Sequence, residues 1–244
     1  DDPRRAPPPF NKRDLEERSK NWGIQRLESP GWRLLLSDTF ALRSDIPLDE
    51  LRAAALHLEM FLKTHQRTLG GDSSDMRFSV HLFRDPEEYR CYAKLRGVPE
   101  ADSFYDPTSA EVVVYLDPLT GRDGLARALM HEFSHQYIHR VFGKTGPPWL
   151  AEGLAEFFRH YQLADGTVVP GDESGPHRER LQTALKVGTF VPAEYLVAMG
   201  PEEFYGAQGL LLYAESWSLI RHLLARHPKV TPQLLSGKSL SDLL

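Results

Sequence analysis

The order of the secondary-structure patterns is the feature that most constrains this fold. Strand patterns occur only before residue 120, in three segments: 32–40, 76–83 and 110–118. Helical patterns separate these strands and then fill the rest of the chain, at about 47–69, 85–97, 122–142, 148–162, 175–187 and 207–226. Strands first and helices afterwards predict an α+β protein, in which a small mixed β-sheet packs beside a mainly helical C-terminal half.

The chain is expected to contain one domain after a short lead-in. The opening stretch "DDPRRAPPPFNKR" is rich in proline and charge, and residues 1–29 are predicted to be a flexible N-terminal segment. Residues 30–244 form the predicted domain, with an α/β part at 30–120 and a helical part at 121–244. The stretch "ADGTVVPG" within the helical part is predicted to be a small hairpin or a loop.

Composition excludes some classes of partner. The 29 basic and 34 acidic residues give a net charge of -5, and no block of Lys and Arg stands out, which argues against nucleic acid as a partner. No apolar run approaches the roughly 18 residues that a membrane-spanning helix needs. Cys91 is the single cysteine, so no intrachain disulfide can form, and we expect a buried, inert thiol. The oligomeric state stays undetermined.

The compartment is left open by the sequence. The chain begins with Asp1 and not with methionine, so a secreted or periplasmic protein whose leader has been removed stays an alternative. The helical pattern is unfinished at its end, "SLSDLL", which is compatible with a fragment of a longer protein.

The stretch "HEFSH", residues 131–135, indicates a metal site. On a helix His131 and His135 lie one turn apart on one face, about 6 Å along the axis, where both imidazoles can reach one Zn²⁺ ion. Glu132 lies about 100° round the helix from His131, so it can flank the ion without binding it and take a proton from water held there. The pattern also arises by chance, and it needs a third ligand.

His139 continues the same stripe but is a poor third ligand. It would lie about 12 Å from His131 along a helix, which is too far for both to bind one ion with bonds near 2 Å. We interpret His139 as a surface residue or a residue behind the ligands. Ile138 and Val141 stand where a metzincin needs glycine and histidine, so that class is excluded.

A better third ligand follows in "GPPWLAEGLAEFF", residues 146–158. Glu152 and Glu156 fall one turn apart on a predicted apolar helix, where a carboxylate is costly to bury unless a cation or a hydrogen-bond donor receives it. We predict that Glu152 is the third ligand of one Zn²⁺ ion and that Glu156 orients a ligand histidine. The alternative is a helix whose two glutamates face water.

Together "HEFSH" and "PPWLAEGLAEFF" resemble the gluzincin zinc metallopeptidases of the MA clan, most closely the peptidase-MA-like domains. The resemblance extends over residues 30 to 226. It implies a zincin-like fold with the active-site cleft between sheet and helices, zinc ligands at His131, His135 and Glu152, and Glu132 as general base. By the match of "LLYAESWSLIRHLL" to a gluzincin helix, Tyr213 is the candidate catalytic tyrosine that steadies the oxyanion, with Tyr205 in reserve.

The expected function is therefore zinc-dependent hydrolysis of peptide bonds in a peptide or protein substrate. The aminopeptidase signature G-x-M-E-N is absent, and "AEVVVYLD" stands in its place, so an endopeptidase is favoured. That strand could pair with an extended peptide. Three alternatives stay open: a non-catalytic binding or scaffold domain stabilised by zinc, a zinc hydrolase of non-peptide substrates, and a helical module without metal.

Overall fold

The protein is an α+β structure with a six-stranded mixed sheet and a helical half. The computed structural model describes residues 12–98, 101–144, 146–164, 167–171 and 175–240. The sheet-forming part contains α1 (Lys12–Ser19), β1 (Gly23–Arg26), β2 (Arg33–Leu36), β3 (Phe40–Ser44), α2 (Leu48–Leu69), β4 (Phe78–Phe83), α3 (Pro86–Leu95), β5 (Ser103–Asp106) and β6 (Glu111–Tyr115). The helical part contains α4 (Gly121–Phe142), α5 (Pro148–Arg159), β7 (Tyr161–Ala164), β8 (Thr167–Pro170), α6 (Gly175–Val187), α7 (Ala193–Leu196), α8 (Pro201–Phe204), α9 (Gly209–Arg226) and α10 (Val230–Leu235).

The strands lie in the order β1-β2-β3-β4-β6-β5. The three central strands, β3, β4 and β6, are parallel, and the flanking strands β2 and β5 pair with them antiparallel. β5 is therefore the edge of the sheet on the side where α4 packs. The segment "ADGTVVPG" contributes to a separate hairpin, β7 and β8, one of the two structures predicted for it.

Both faces of the central strands are covered. Alternation along β6 sends Val112 and Val114 into the main core with the helical half, and Val113 into a smaller core under α3. The helices that build the main core are α2, α4, α5 and α9, with α5 packed between α4 and α9. The site helices are thus held by the largest apolar core of the molecule.

Three short elements that were not predicted, α1, β1 and β5, extend the fold. The segment predicted to be flexible, 1–29, contains α1 and β1, and Leu15 and Trp22 are buried in the main core. Residues 1–11 of that segment lie outside the described residues. β5 was not predicted because its four residues, which follow "GVPEAD" and precede Pro107, give too short a strand pattern.

Other differences from the sequence predictions are local. The predicted strand 32–40 is two strands joined by a turn, because the buried carboxylate of Glu59 accepts hydrogen bonds from Ser37 Oγ at 2.7 Å and Thr39 N at 2.8 Å. Cys91 is exposed on α3, and the prediction of a buried thiol was wrong: the buried face of this helix carries Tyr89 and Ala93. No helix among the described residues is long and apolar enough to cross a membrane.

Candidate metal centre

The four predicted metal-site residues lie on two neighbouring helices. His131 and His135 are on α4, which runs to the left-handed Gly143 at its end (φ 74°). Glu152 and Glu156 are on α5, where every residue from Trp149 to Phe158 is buried. A helix buried on all sides has no solvated face for its carboxylates, so both glutamates need partners inside the protein.

The ligand atoms of three of these residues form a nearly equilateral triangle. His131 Nε2 and His135 Nε2 are 3.3 Å apart, and Glu152 Oε2 lies 3.5 Å from each of them. Ligands at about 2.1 Å from one tetrahedral ion are separated by about 3.4 Å. The triangle therefore has the dimensions of three ligands to a single small cation, and these three residues could hold a metal ion.

The carboxylate of Glu152 fits such an ion. Its Oε1 accepts a hydrogen bond of 2.8 Å from Tyr205 Oη, whereas its Oε2 is buried and accepts no hydrogen bond from the described residues. A buried carboxylate oxygen left without a donor is costly unless a cation occupies the position in front of it. The two imidazoles converge on this same oxygen.

The electrostatics of the cluster favour positive charge at its centre. Burial opposes ionisation of Glu152, yet His135 and His131 hold the pKa of this carboxyl well below its ordinary value. Burial also opposes a charged His131, but Glu152 and Glu156 raise the pKa of this imidazole to about 10. The carboxylates that favour a charged imidazole at this position would also favour a bound cation.

Glu156 lies behind His131, on the side away from the triangle. Its Oε1 is 2.9 Å from His131 Nδ1, and its Oε2 is 2.7 Å from His177 Nε2 and 3.3 Å from His160 Nε2. Burial opposes ionisation of this carboxyl, but the three histidines hold its pKa far below the ordinary value. Glu156, His160 and His177 form a second group that could hold a metal ion by residue type.

Glu132 is buried beside the triangle and also lines a cavity of about 710 Å³. Its Oε1 accepts a hydrogen bond of 2.7 Å from Ser103 Oγ, on the edge strand β5. The same cavity is lined by His131, His135 and Glu152. The structure thus places a carboxylate next to the candidate metal ligands and in contact with a space that a substrate could enter.

Two tyrosines face this cavity from the helical half. Tyr205, just after α8, donates to the candidate ligand Glu152, and Tyr213 on α9 lines the cavity wall. Burial raises the pKa of both phenols above the ordinary value, and the nearby Glu152 raises them further. Both side chains therefore keep their O–H groups as hydrogen-bond donors at neutral pH.

Sequence reasoning located some of these residues and missed others. His139 lies outside the triangle, and its Nδ1 is 2.7 Å from Tyr105 Oη. Ser103, His160 and His177 were not singled out. Ser103 and His177 reach the site from other elements, whereas His160 lies one turn after Glu156, a spacing that could have marked it. Ser103 is on a strand that was not predicted, and His177 is 21 residues from Glu156, so neither has a spacing that marks it.

In comparisons with protein-family models, curated proteins and solved structures, nothing matches this chain.

Proposed function

We propose that this chain is a zinc-dependent peptide-bond hydrolase with a zincin-like fold, related to the gluzincin metallopeptidases. The observation that carries the proposal is the triangle of His131, His135 and Glu152, with edges of 3.3, 3.5 and 3.5 Å, beside a buried glutamate in an open cavity. Two imidazoles and one carboxylate are a ligand set that Zn²⁺ takes in hydrolases, with one position left for water or substrate.

These three residues would hold one zinc ion. When bound, zinc supplies Lewis-acid catalysis, lowering the pKa of water from 15.7 toward ~7 and polarising a carbonyl. The remaining steps of the chemistry belong to the side chains of the chain itself.

Glu132 is assigned as the general base. Ser103 fixes its carboxylate through Oε1, which leaves Oε2 as the oxygen that takes a proton from the attacking water and then passes it to the leaving amine. Glu132 can do this because it lies about 100° round the helix from His131, so its side chain flanks the ion and does not bind it.

The two tyrosines have different assignments. Tyr205 orients the ligand Glu152, because its phenol already donates to Oε1 of that carboxylate. Tyr213 lines the same cavity and is assigned as the donor to the oxyanion that develops on the substrate carbonyl. This division keeps Tyr213 in its predicted role and gives Tyr205 a role of its own.

An extended peptide is the substrate class that the cavity favours. Ser103, Phe104 and Tyr105 of β5 line the cavity, and β5 is an edge strand. A peptide could add to this edge as a further strand and bring its scissile bond to Glu132. The sequence had suggested "AEVVVYLD" for this pairing, but β6 lies between β4 and β5, so its backbone is already paired on both sides.

A purely structural zinc site fits the geometry less well. Structural sites usually close with four protein ligands, whereas only three donors converge here among the residues that the structure describes. A scaffold domain also does not require a general base, whereas here the buried carboxylate of Glu132 accepts a hydrogen bond from Ser103 and lines an accessible cavity.

The test combines metal content with cleavage of a mixed peptide library. We expect the purified wild-type chain to bind one zinc ion and to cleave peptides. Glu132→Gln should keep the zinc and lose about 10²- to 10⁴-fold in turnover, since the amide cannot accept the proton. Glu179→Gln, at an exposed position of α6, is the matched control and should behave as wild type.

Two results would contradict the proposal in different ways. A wild-type chain without stoichiometric zinc would remove the metal site itself. Zinc binding with equal turnover in wild type and Glu132→Gln would leave the metal site in place and remove the general base.

A further inference from the structure

The carboxylate of Glu156 contacts several nitrogen-bearing side chains besides that of His131. Three imidazoles lie against it: His131 at 2.9 Å, His177 at 2.7 Å and His160 at 3.3 Å. The guanidinium of Arg159 lies 3.5 Å from Oε1. Two of these four groups, His177 and Arg159, donate hydrogen bonds to the carboxylate, and the other two imidazoles lie close against it.

The distances distinguish this cluster from a metal site. Two ligands of one tetrahedral ion lie about 3.4 Å apart, as in the triangle around Glu152. The 2.7 Å separation of His177 Nε2 and Glu156 Oε2 is instead that of a hydrogen bond to a charged group. A second cation would also be held next to the positive charge of Arg159.

Burial and ring packing keep His177 in this orientation. The residue lies in the first turn of α6 and is 7% exposed. Its ring packs edge-on against that of His160, with centroids 4.9 Å apart, and against Trp217 of α9, with centroids 5.4 Å apart. The hydrogen bond to Glu156 therefore joins α6 to α5 inside the core.

We propose that His177, assisted by His160, is a positioning residue that holds Glu156 against His131 and so sets the zinc affinity of the candidate centre. The inference rests on the proposed zinc site. A carboxylate that His177 holds 2.9 Å from His131 Nδ1 favours the tautomer with its proton on Nδ1, and so leaves Nε2 of that ring as the ligand atom. Without His177, Glu156 can turn away and His131 loses its fixed tautomer and ring angle.

The experiment compares two amides of different reach at position 177. In His177→Gln the side-chain N–H can take the place of imidazole Nε2, whereas the shorter side chain of His177→Asn cannot reach Glu156. Zinc affinity of the full chain is measured by competition with a chromophoric chelator, and zinc per chain by elemental analysis. His222→Asn, at an exposed position of α9, is the control for removal of an imidazole.

We expect His177→Asn to weaken zinc binding about fivefold to tenfold. This variant loses the hydrogen bond to the charged Glu156, which in turn contacts the ligand His131. His177→Gln should stay within about twofold of wild type, since it keeps that bond. In a Glu156→Gln background the Asn and Gln variants should bind zinc equally, because the carboxylate through which they act is gone.

Each contrary outcome has a distinct meaning. Equal zinc affinity of the wild type and both amide variants would overturn the positioning role while the proposed zinc site stands. Two ions in wild type and one in His177→Asn would overturn it in favour of a second metal site. A wild-type chain that binds no zinc would overturn the proposed function and this inference together. A His177→Asn chain that unfolds is replaced by His160→Asn against His160→Gln, with the same readings.

Discussion

The two histidine–glutamate clusters of this protein have the same residue types, and their glutamates lie on the same helix, but the distances between their polar atoms differ. Around Glu152 the donors are 3.3–3.5 Å apart and one buried carboxylate oxygen accepts no hydrogen bond from the described residues. Around Glu156, one turn later, both oxygens are in contact with donors, the nearest at 2.7 Å. Residue types alone therefore do not distinguish the two clusters, whereas the distances between their polar atoms and the carboxylate oxygen without a hydrogen-bond donor favour the first as the candidate metal site.

The difference follows from what reaches each carboxylate. Glu152 faces the cavity, where α4 supplies two imidazoles and only Tyr205 donates to it directly. Glu156 faces the interior, where His177 from α6 and His160 at the end of α5 approach it. A bound cation would satisfy the free carboxylate oxygen at the first, whereas donors of the protein already contact both oxygens at the second.

The largest expected effect is the difference in zinc affinity between two variants in which either Glu152 or Glu156 is replaced by glutamine. Glu152→Gln should weaken zinc binding by more than about 100-fold, because it removes an anionic ligand. Glu156→Gln should weaken it about 10- to 100-fold with one ion still bound at saturation, since it acts through His131. Chelator competition on both variants gives the two values.

The order of these two effects is the critical result. If Glu156→Gln removed zinc more completely than Glu152→Gln, the assignments of the two clusters would have to be exchanged. Glu179→Gln controls for loss of a carboxylate elsewhere in the helical half.

The next effect concerns Gly153, which lies between the two glutamates. A Cβ at this position would lie 2.8 Å from the backbone oxygen of Ser216 on α9 and 2.7 Å from the side chain of Ile220. Gly153→Ala should therefore push α5 from α9 and destabilise the fold by about 1–3 kcal/mol, in spite of the better helix propensity of alanine.

Thermal unfolding of the metal-free chain measures this loss, and zinc affinity should fall in the same variant because both clusters move with α5. Gly175→Ala, at a position where an added Cβ meets nothing within 4 Å, is the matched control. An unchanged or raised unfolding temperature in Gly153→Ala would show that α9 can give way.

The sequence predicted the fold class and the helices of the site closely, because their signals are local. The pattern at 122–142 and the glycine at 143 match α4, and Pro148 begins α5 as expected. Four predicted residues, His131, His135, Glu152 and Glu156, meet in the structure because two one-turn spacings on adjacent helices bring them together.

What the sequence could not show depends on contacts between distant segments. The hydrogen bond from Ser103 to Glu132 spans 29 residues, and that from Tyr205 to Glu152 spans 53. No periodicity links such pairs, and β5 is too short to be recognised as a strand. His177 of the second cluster was missed for the same reason, since α6 approaches Glu156 only in the folded chain.

The smallest expected effect concerns His65, a buried imidazole without a carboxylate partner in the described part of the chain. Its ring is fully buried and stacks on Phe158 at 3.8 Å, and its Nδ1 and Nε2 contact Phe61 O at 2.8 Å and Ser134 Oγ at 2.9 Å. Burial lowers the pKa of His65 to about 3, the opposite direction to His131, where two carboxylates are close.

A folded pKa below the unfolded value of about 6.5 means that the unfolded chain binds a proton more readily. The contribution of neutral His65 to stability is therefore complete above pH 6.5 and declines as the pH falls toward 3, by up to about 1.4 kcal/mol per pH unit. His65→Phe removes this dependence and keeps the ring stacking. Urea unfolding of the metal-free chains between pH 7 and 5 should show a shallower loss of stability in His65→Phe than in wild type or His222→Phe. Parallel curves for all three chains would mean that His65 binds a proton as readily in the folded as in the unfolded chain, and that burial does not lower its pKa.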